Sequence, residues 1–239
     1  MKLQAISAFV CVATLSGSVL KAEEPASAFS VEFGADVVSS YIWRGQELGG
    51  FSVQPSVTFT WAKPAISFGV WASAELFEKS NAVNMTEFDL SLSWNPIESL
   101  TIGLTDYYLS GNSYFSGWKW NAAATHNLEA QLAYDFGPVA LSWNTCLTGP
   151  DHHFDGELKR NYSTYVELSA PYEVAGVKGS MAVGASLWDD GLTAIGNDKF
   201  NVCNISLSAE KEIFHLPMMG QIVFNPQTDN AYFVVGLTF

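Results

Sequence analysis

The chain has 239 residues, of which 48% are hydrophobic and 14% aromatic, yet its mean hydropathy is only slightly positive. A helical membrane protein would gather that apolar content into runs of about 20 residues, and beyond the first twenty or so positions no such run occurs. A formal charge of −13 argues against nucleic-acid binding by counterion release and suits partners that are cations or neutral solutes.

The first segment reads as an export signal. Lys2 supplies the positive start, and Ala5 to Leu20 is apolar and small, about the length of a signal-peptide core with its flank. Cleavage after Ala22 gives a signal peptide over 1–22. The small-residue run Ala26-Ser27-Ala28 offers a later cut, up to 28, and leaves a mature domain over 29–239. Cys11 has no lipobox-like residues before it, so no lipid anchor is expected. Loss of Lys2 and Lys21 leaves 9 basic against 24 acidic residues, a charge of −15. The mature chain keeps Cys146 and Cys203. An oxidising compartment permits a disulfide between them, and the plainer expectation is two small apolar residues on non-adjacent strands.

From there the pattern is alternation. Val31, Phe33, Ala35 and Val37 are apolar, with Glu32, Gly34 and Asp36 between them. From Phe51 to Trp61 every odd position is apolar and every even one polar. A period of two means a strand with one oily and one wet face. The same period returns over Ile66–Glu75, Glu87–Trp94, Leu100–Leu109, Asn127–Phe136, Val139–Leu147, Tyr162–Ala170, Val177–Trp188, Val202–Glu210, Gly220–Phe224 and Ala231–Phe239. In Leu100–Leu109, Asp106 falls on the oily phase, where a bulge would be needed to re-aim it.

Connections alternate as well. Ala62–Pro64, Asn95–Ser99, Gly137-Pro138 and Pro171–Gly176 are short and turn-like, whereas Phe77–Asn84, Ser110–Ala124, Thr148–Arg160 and Asp189–Asp198 are long and polar. About twelve strands of about ten residues, joined by short turns on one side and long loops on the other, predict an all-β, antiparallel, up-and-down transmembrane barrel of the bacterial outer membrane. A soluble β-sandwich alternates too. Against it stand the aromatic residues Trp61, Trp94, Tyr134, Phe136 and Phe239 at strand ends, which fit an interfacial girdle. The terminal strand, closing on Phe239, suits recognition by the outer-membrane assembly machinery. The expected partners are that machinery, outer-membrane lipids and lipopolysaccharide, and small solutes.

Ser39-Ser40-Tyr41-Ile42-Trp43-Arg44-Gly45, closing the first strand, resembles the Y-x-x-R-G signature of the TorF (Gcw_chp) type of porins, and Gly69–Ser73 and Glu87-Phe88-Asp89 are similar to that family at comparable spacing. The resemblance implies an outer-membrane barrel with a porin role.

With the oily phase towards lipid, the other phase lines the lumen. It carries Glu32, Asp36, Glu75, Glu87, Asp89, Glu129, Asp135, Glu167 and Glu210 against Arg44 and Lys178. Charge rings of one sign bias which ions enter a pore, so the expectation is passive diffusion of small polar or cationic solutes. A closed structural barrel filled by polar side chains is the alternative. Arg44 is expected to pair with Glu75, Glu87 or Asp89, and Gly45 to serve a turn.

An enzyme at the outer rim is the other class. His126, Asp151, His152, His153 and Ser163 lie near the outer ends of neighbouring strands. A nucleophile needs a base within hydrogen-bond reach and a group to orient it, and nothing in their spacing demands that. No G-x-S-x-G or H-E-x-x-H occurs, and adjacent His152 and His153 point apart on extended chain. No catalytic residue, metal site or cofactor is therefore expected, and the chain is read as a non-enzyme. The loop with Tyr114, Phe115, Trp118 and Trp120 has three open placements: packed over the mouth, folded inward, or dipped into lipopolysaccharide.

Overall fold

The computed structural model describes residues 28–77, 86–109, 114, 125–188 and 200–239. The expected signal peptide, most of the loops 77–84, 110–124 and 189–198, and with them Phe115, Trp118 and Trp120, lie outside the described residues.

The chain is nearly all β. Its strands are β1 (Phe29–Val38), β2 (Tyr41–Trp43), β3 (Gln46–Gly49), β4 (Ser52–Trp61), β5 (Ile66–Glu75), β6 (Thr86–Ile97), β7 (Leu100–Leu109) and β8 (His126–Asp135). Then follow β9 (Ala140–Cys146), β10 (His152–Phe154), β11 (Leu158–Arg160), β12 (Thr164–Val174), β13 (Val177–Ser186), β14 (Asn201–Ile213), β15 (Leu216–Asn225) and β16 (Asn230–Thr238). Twelve of them close into one antiparallel barrel, in which β1 pairs with β4 on one side and β16 on the other. These twelve are the strands the alternation predicts. β2–β3 and β10–β11 are separate two-stranded hairpins in the long-loop connections.

Closure fixes the two phases. Phe33, Leu132, Ile222 and Phe233 point outward and are exposed, Phe33 by 81%. Ser52, Gln54, Glu87, Thr105, Glu129 and Asn144 point inward and are buried. Among the described residues no helix is long and apolar enough to cross a membrane. The apolar wall lies on the strands instead, and a contiguous exposed band of this kind is foreign to a water-soluble monomer.

Exposed aromatic rings border that band at both ends. Phe29, Trp61, Trp94, Tyr134, Phe136 and Phe239 lie at the short-turn end, where Phe29 packs on Trp61 and Tyr134 on Phe136. Phe51, Phe77, Trp143, Tyr162, Trp188 and Phe200 lie towards the long-loop end. There Phe51 packs on Phe77 and Trp143 on Trp188.

Two details differ from the sequence reading. β12 continues through Pro171 to Val174, so the turn shrinks to Ala175-Gly176, both at positive φ. And β7 pairs with β8 in unbroken register from Leu100 to Tyr108. No bulge re-aims Asp106. It stays on the outer face, where its carboxylate meets His126 Nδ1 at 2.9 Å.

Candidate functional site

The segment Tyr41-Ile42-Trp43 has three large apolar residues in a row, and all three are buried. A wall strand between lipid and lumen would bury only one face. Such a run is satisfied by burial on every side, and the barrel provides it: the β2–β3 hairpin folds into the lumen in the long-loop half. Ile42 joins Val38, Met219, Val223 and Val234 in a small apolar cluster against β1, β15 and β16. Trp43 packs edge-on to Tyr107 of β7 at 6.0 Å, and Tyr41 packs on Trp71 of β5 at 5.4 Å.

Arg44 and Gly45 form the tip, both at positive φ. Asn225 of β15 donates to the Gly45 carbonyl at 3.0 Å. The Arg44 guanidinium reaches β8 and binds Glu129 through both nitrogens, each 2.8 Å from a carboxylate oxygen. Their side chains are 7% and 0% exposed. The planar fork matches a carboxylate at two points. The guanidinium also lies over the Trp43 ring at 4.4 Å and the Tyr165 ring at 4.5 Å, a cation–π arrangement that strengthens as water is removed. Burial works against its charge, but Glu129 more than reverses this and holds its pKa above the ordinary value.

The network spreads along the wall. Tyr107 donates to Glu129 at 3.1 Å. Tyr165 donates to Glu167, and Asn204 of β14 donates to the same carboxylate at 2.9 Å. Removing one partner of a buried pair leaves an uncompensated charge, at a cost of about 3–5 kcal/mol. The hairpin is therefore fastened to β8, β12, β14 and β15 by charge and close contact.

Opposite lie Glu87 and Asp89 of β6, both buried. The Tyr41 hydroxyl hydrogen-bonds Glu87, and burial with these two carboxylates nearby pushes the phenol's pKa well above its ordinary value, so it remains a donor.

The expected pairing of Arg44 with Glu75, Glu87 or Asp89 is thus not the one found. Its partner is Glu129, because the hairpin carries Arg44 off the wall and across the lumen. Gly45 does serve a turn. The remaining predicted lumen residues spread over the barrel height. Glu75 lies at the top of β5 beside Gly50. Glu32 and Asp36 are on β1, with Asp36 opposite Thr238. Lys178 and Glu210 face one another across β13 and β14. Asp135 accepts from the Gly137 amide at 2.6 Å in a short turn.

His126 holds Asp106 and, through Nε2, the Tyr114 carbonyl at 2.8 Å. Asp151 is buried and takes both the amide and the hydroxyl of Ser163. The His153 ring meets Asn161, and His215 lies beside Glu212 at the short-turn end. Cys146 and Cys203 are buried and not joined in a disulfide, with β12 and β13 between their strands.

Residues 22–213 match the family model described as "Bacterial protein of unknown function (Gcw_chp)". The match runs to the last residue of β14 and includes the whole hairpin. No curated protein matches the chain.

Proposed function

The chain belongs to the Gcw_chp family of bacterial proteins, and from that premise we propose that it is an outer-membrane channel for passive diffusion of small polar or cationic solutes, not an enzyme. The observation that carries this reading is the outer wall: an apolar band of strands bordered at both ends by exposed aromatic rings, the profile of a barrel seated in a bilayer. The resemblance of Tyr41–Gly45 to TorF-type porins agrees with it. The inward phase is polar and mostly acidic, which favours cations over anions.

A second reading has its own support. The in-folded hairpin and its Arg44–Glu129 anchor narrow the long-loop half, as a closed structural barrel would require. Incorporation of the purified, folded protein into planar bilayers separates the two. Discrete conductance steps with a cation-favouring reversal potential are expected. A protein that inserts and shows the heat-dependent electrophoretic shift of a folded barrel, yet stays electrically silent, would leave the closed barrel as the better account.

A further inference from the structure

We infer that cations pass the hairpin along one side only, over the inward face of β5–β7, and that Glu87 and Asp89 form the cation-binding point on that path. This deepens the channel reading and rests on it.

The first argument is where the hairpin is sealed. Towards β8, β12, β14 and β15 it is held by the Arg44–Glu129 pair, by Tyr165 under the guanidinium and by Asn225 on the Gly45 carbonyl. Its tip leaves no room there, since a Cβ on Gly45 would fall 1.8 Å from the Cys203 carbonyl oxygen. Towards β5, β6 and β7 the contacts are the Tyr41 ring on Trp71, one phenol hydroxyl on Glu87, the Trp43 edge on Tyr107, and Gly49 and Gly50 beside the carboxylate of Glu75, with no buried ion pair among them. A phenol can swing aside without unpairing a charge.

The second argument rests on buried polar atoms, three of which belong to no carboxylate. Buried polar atoms in folded proteins almost always have partners. Here Thr105 of β7 is only 2% exposed, and its hydroxyl has no protein partner. The Trp71 indole nitrogen, the Ser93 hydroxyl, Glu87 Oε2 and Asp89 Oδ1 are in the same condition. All five lie on the inward phase of β5, β6 and β7, and the ladder places Asp89 opposite both Trp71 and Tyr107. Among the described residues of β9 and β12–β15 there is no such buried atom. Glu167, which also carries a luminal carboxylate, is instead held by Tyr165 and Asn204. These five atoms form a file down one wall, and among the described residues the other wall strands leave only Asn127 Oδ1 of β8 and Thr238 Oγ1 of β16 in that condition. Carboxylate and hydroxyl oxygens in that file can replace part of the hydration shell of a small inorganic cation such as potassium.

The test compares two sides of the same lumen by reversal potential in a potassium chloride gradient, using variants that retain the folded-barrel electrophoretic shift. Glu87→Gln with Asp89→Asn should lower the cation-to-anion permeability ratio at least threefold, and Glu167→Gln should leave it within the scatter of the parent. If the double variant does not fold, each single change should move the ratio in the same direction. As a second readout, Thr105→Cys should lose cation current on treatment with a cationic thiol reagent, while the parent, in which Cys146 and Cys203 are buried, should not. A conducting channel that responds to Glu167→Gln but not to the β6 pair overturns the route. A parent that inserts without conducting removes the channel reading itself.

Discussion

Gly45 lies so close to β14 that a Cβ added to it would meet the Cys203 carbonyl oxygen at 1.8 Å and its carbonyl carbon at 2.9 Å. Two demands meet at this glycine. Its φ of 81° belongs to the region that favours glycine, and the backbone of the facing strand touches it directly. Gly45→Ala should therefore unseat the hairpin tip and carry Arg44 out of its burial. Limited trypsin digestion of the folded protein should then cut after Arg44, a bond that the parent protects. Gly137→Ala is the control. It has the same kind of backbone, with φ of 94°, and open space around the added carbon. Cleavage at Arg44 in both variants, or in neither, would mean that the contact with Cys203 does not hold the hairpin.

The anchor of the same hairpin has a measurable energy. Glu129→Gln keeps the shape of the side chain and removes its charge, leaving the guanidinium buried without a counter-charge. Urea unfolding in detergent, followed by tryptophan fluorescence, should show a loss of about 3–5 kcal/mol. Glu32→Gln, on an exposed carboxylate towards the short-turn end, should change stability little. Equal effects from the two would place the stability of the barrel elsewhere than in this pair.

How much of this was legible in the sequence follows from what alternation can encode. Period two reports which face of a strand is oily, so the twelve wall strands and their inward carboxylates could be read from residues such as those of Phe51–Trp61. It says nothing about a segment that leaves the wall. Arg44 and Glu129 are 85 residues apart, and their meeting depends on how far the hairpin reaches across the lumen. One local signal was available: Tyr41-Ile42-Trp43 breaks the alternation, and an unbroken apolar triplet asks for burial on all sides. Asp106 shows the opposite case. The sequence marked it as out of phase, and the assumption that a charge must turn inward supplied a bulge. The structure keeps the register and supplies His126.

That outward pair makes a prediction about coupling. Asp106→Leu leaves His126 Nδ1 without its carboxylate, and His126→Leu leaves the carboxylate without the ring, each inside a largely apolar setting under Tyr114. Each single change should destabilise the barrel by about 3–5 kcal/mol, while replacing both by apolar residues should come close to neutral. A double-mutant cycle on unfolding free energies reads the difference. Additive losses would show that the two side chains act separately.

The lipid-facing phase can be tested at Val57. It points outward between Phe33 of β1 and Val70 of β5, with no acid nearby to receive a new cation. Val57→Arg should cost about 2–4 kcal/mol near mid-bilayer, and Ser56→Arg on the luminal phase much less. Leu90 serves this purpose less well, because Asp106 is its direct neighbour on β7 and would pair with an introduced arginine. If Val57→Arg and Ser56→Arg weigh equally on stability, the assignment of the two faces is wrong.

On the channel reading, selectivity should respond to salt in two stages, because the luminal carboxylates lie in two settings. Glu32 is exposed, and Glu210 is half-buried beside Lys178; both face the lumen towards the short-turn end. Glu87 and Asp89 are 4% and 7% exposed behind the hairpin. Charges open to electrolyte act over about 10 Å at 0.1 M salt and about 3 Å at 1 M, and buried ones are screened much less. Cation preference in the parent should therefore fall between these concentrations and then level off above unity. Glu32→Gln with Glu210→Gln should remove the part that fades, leaving a lower preference that hardly varies with salt. Glu87→Gln with Asp89→Asn should remove the part that persists, so that preference at 1 M approaches unity while some remains at 0.1 M. Reversal potentials at a fixed concentration ratio and two mean concentrations measure both parts. If Glu32→Gln with Glu210→Gln abolishes the high-salt preference, the exposed carboxylates govern the pore and the buried pair lies off the path of the ions.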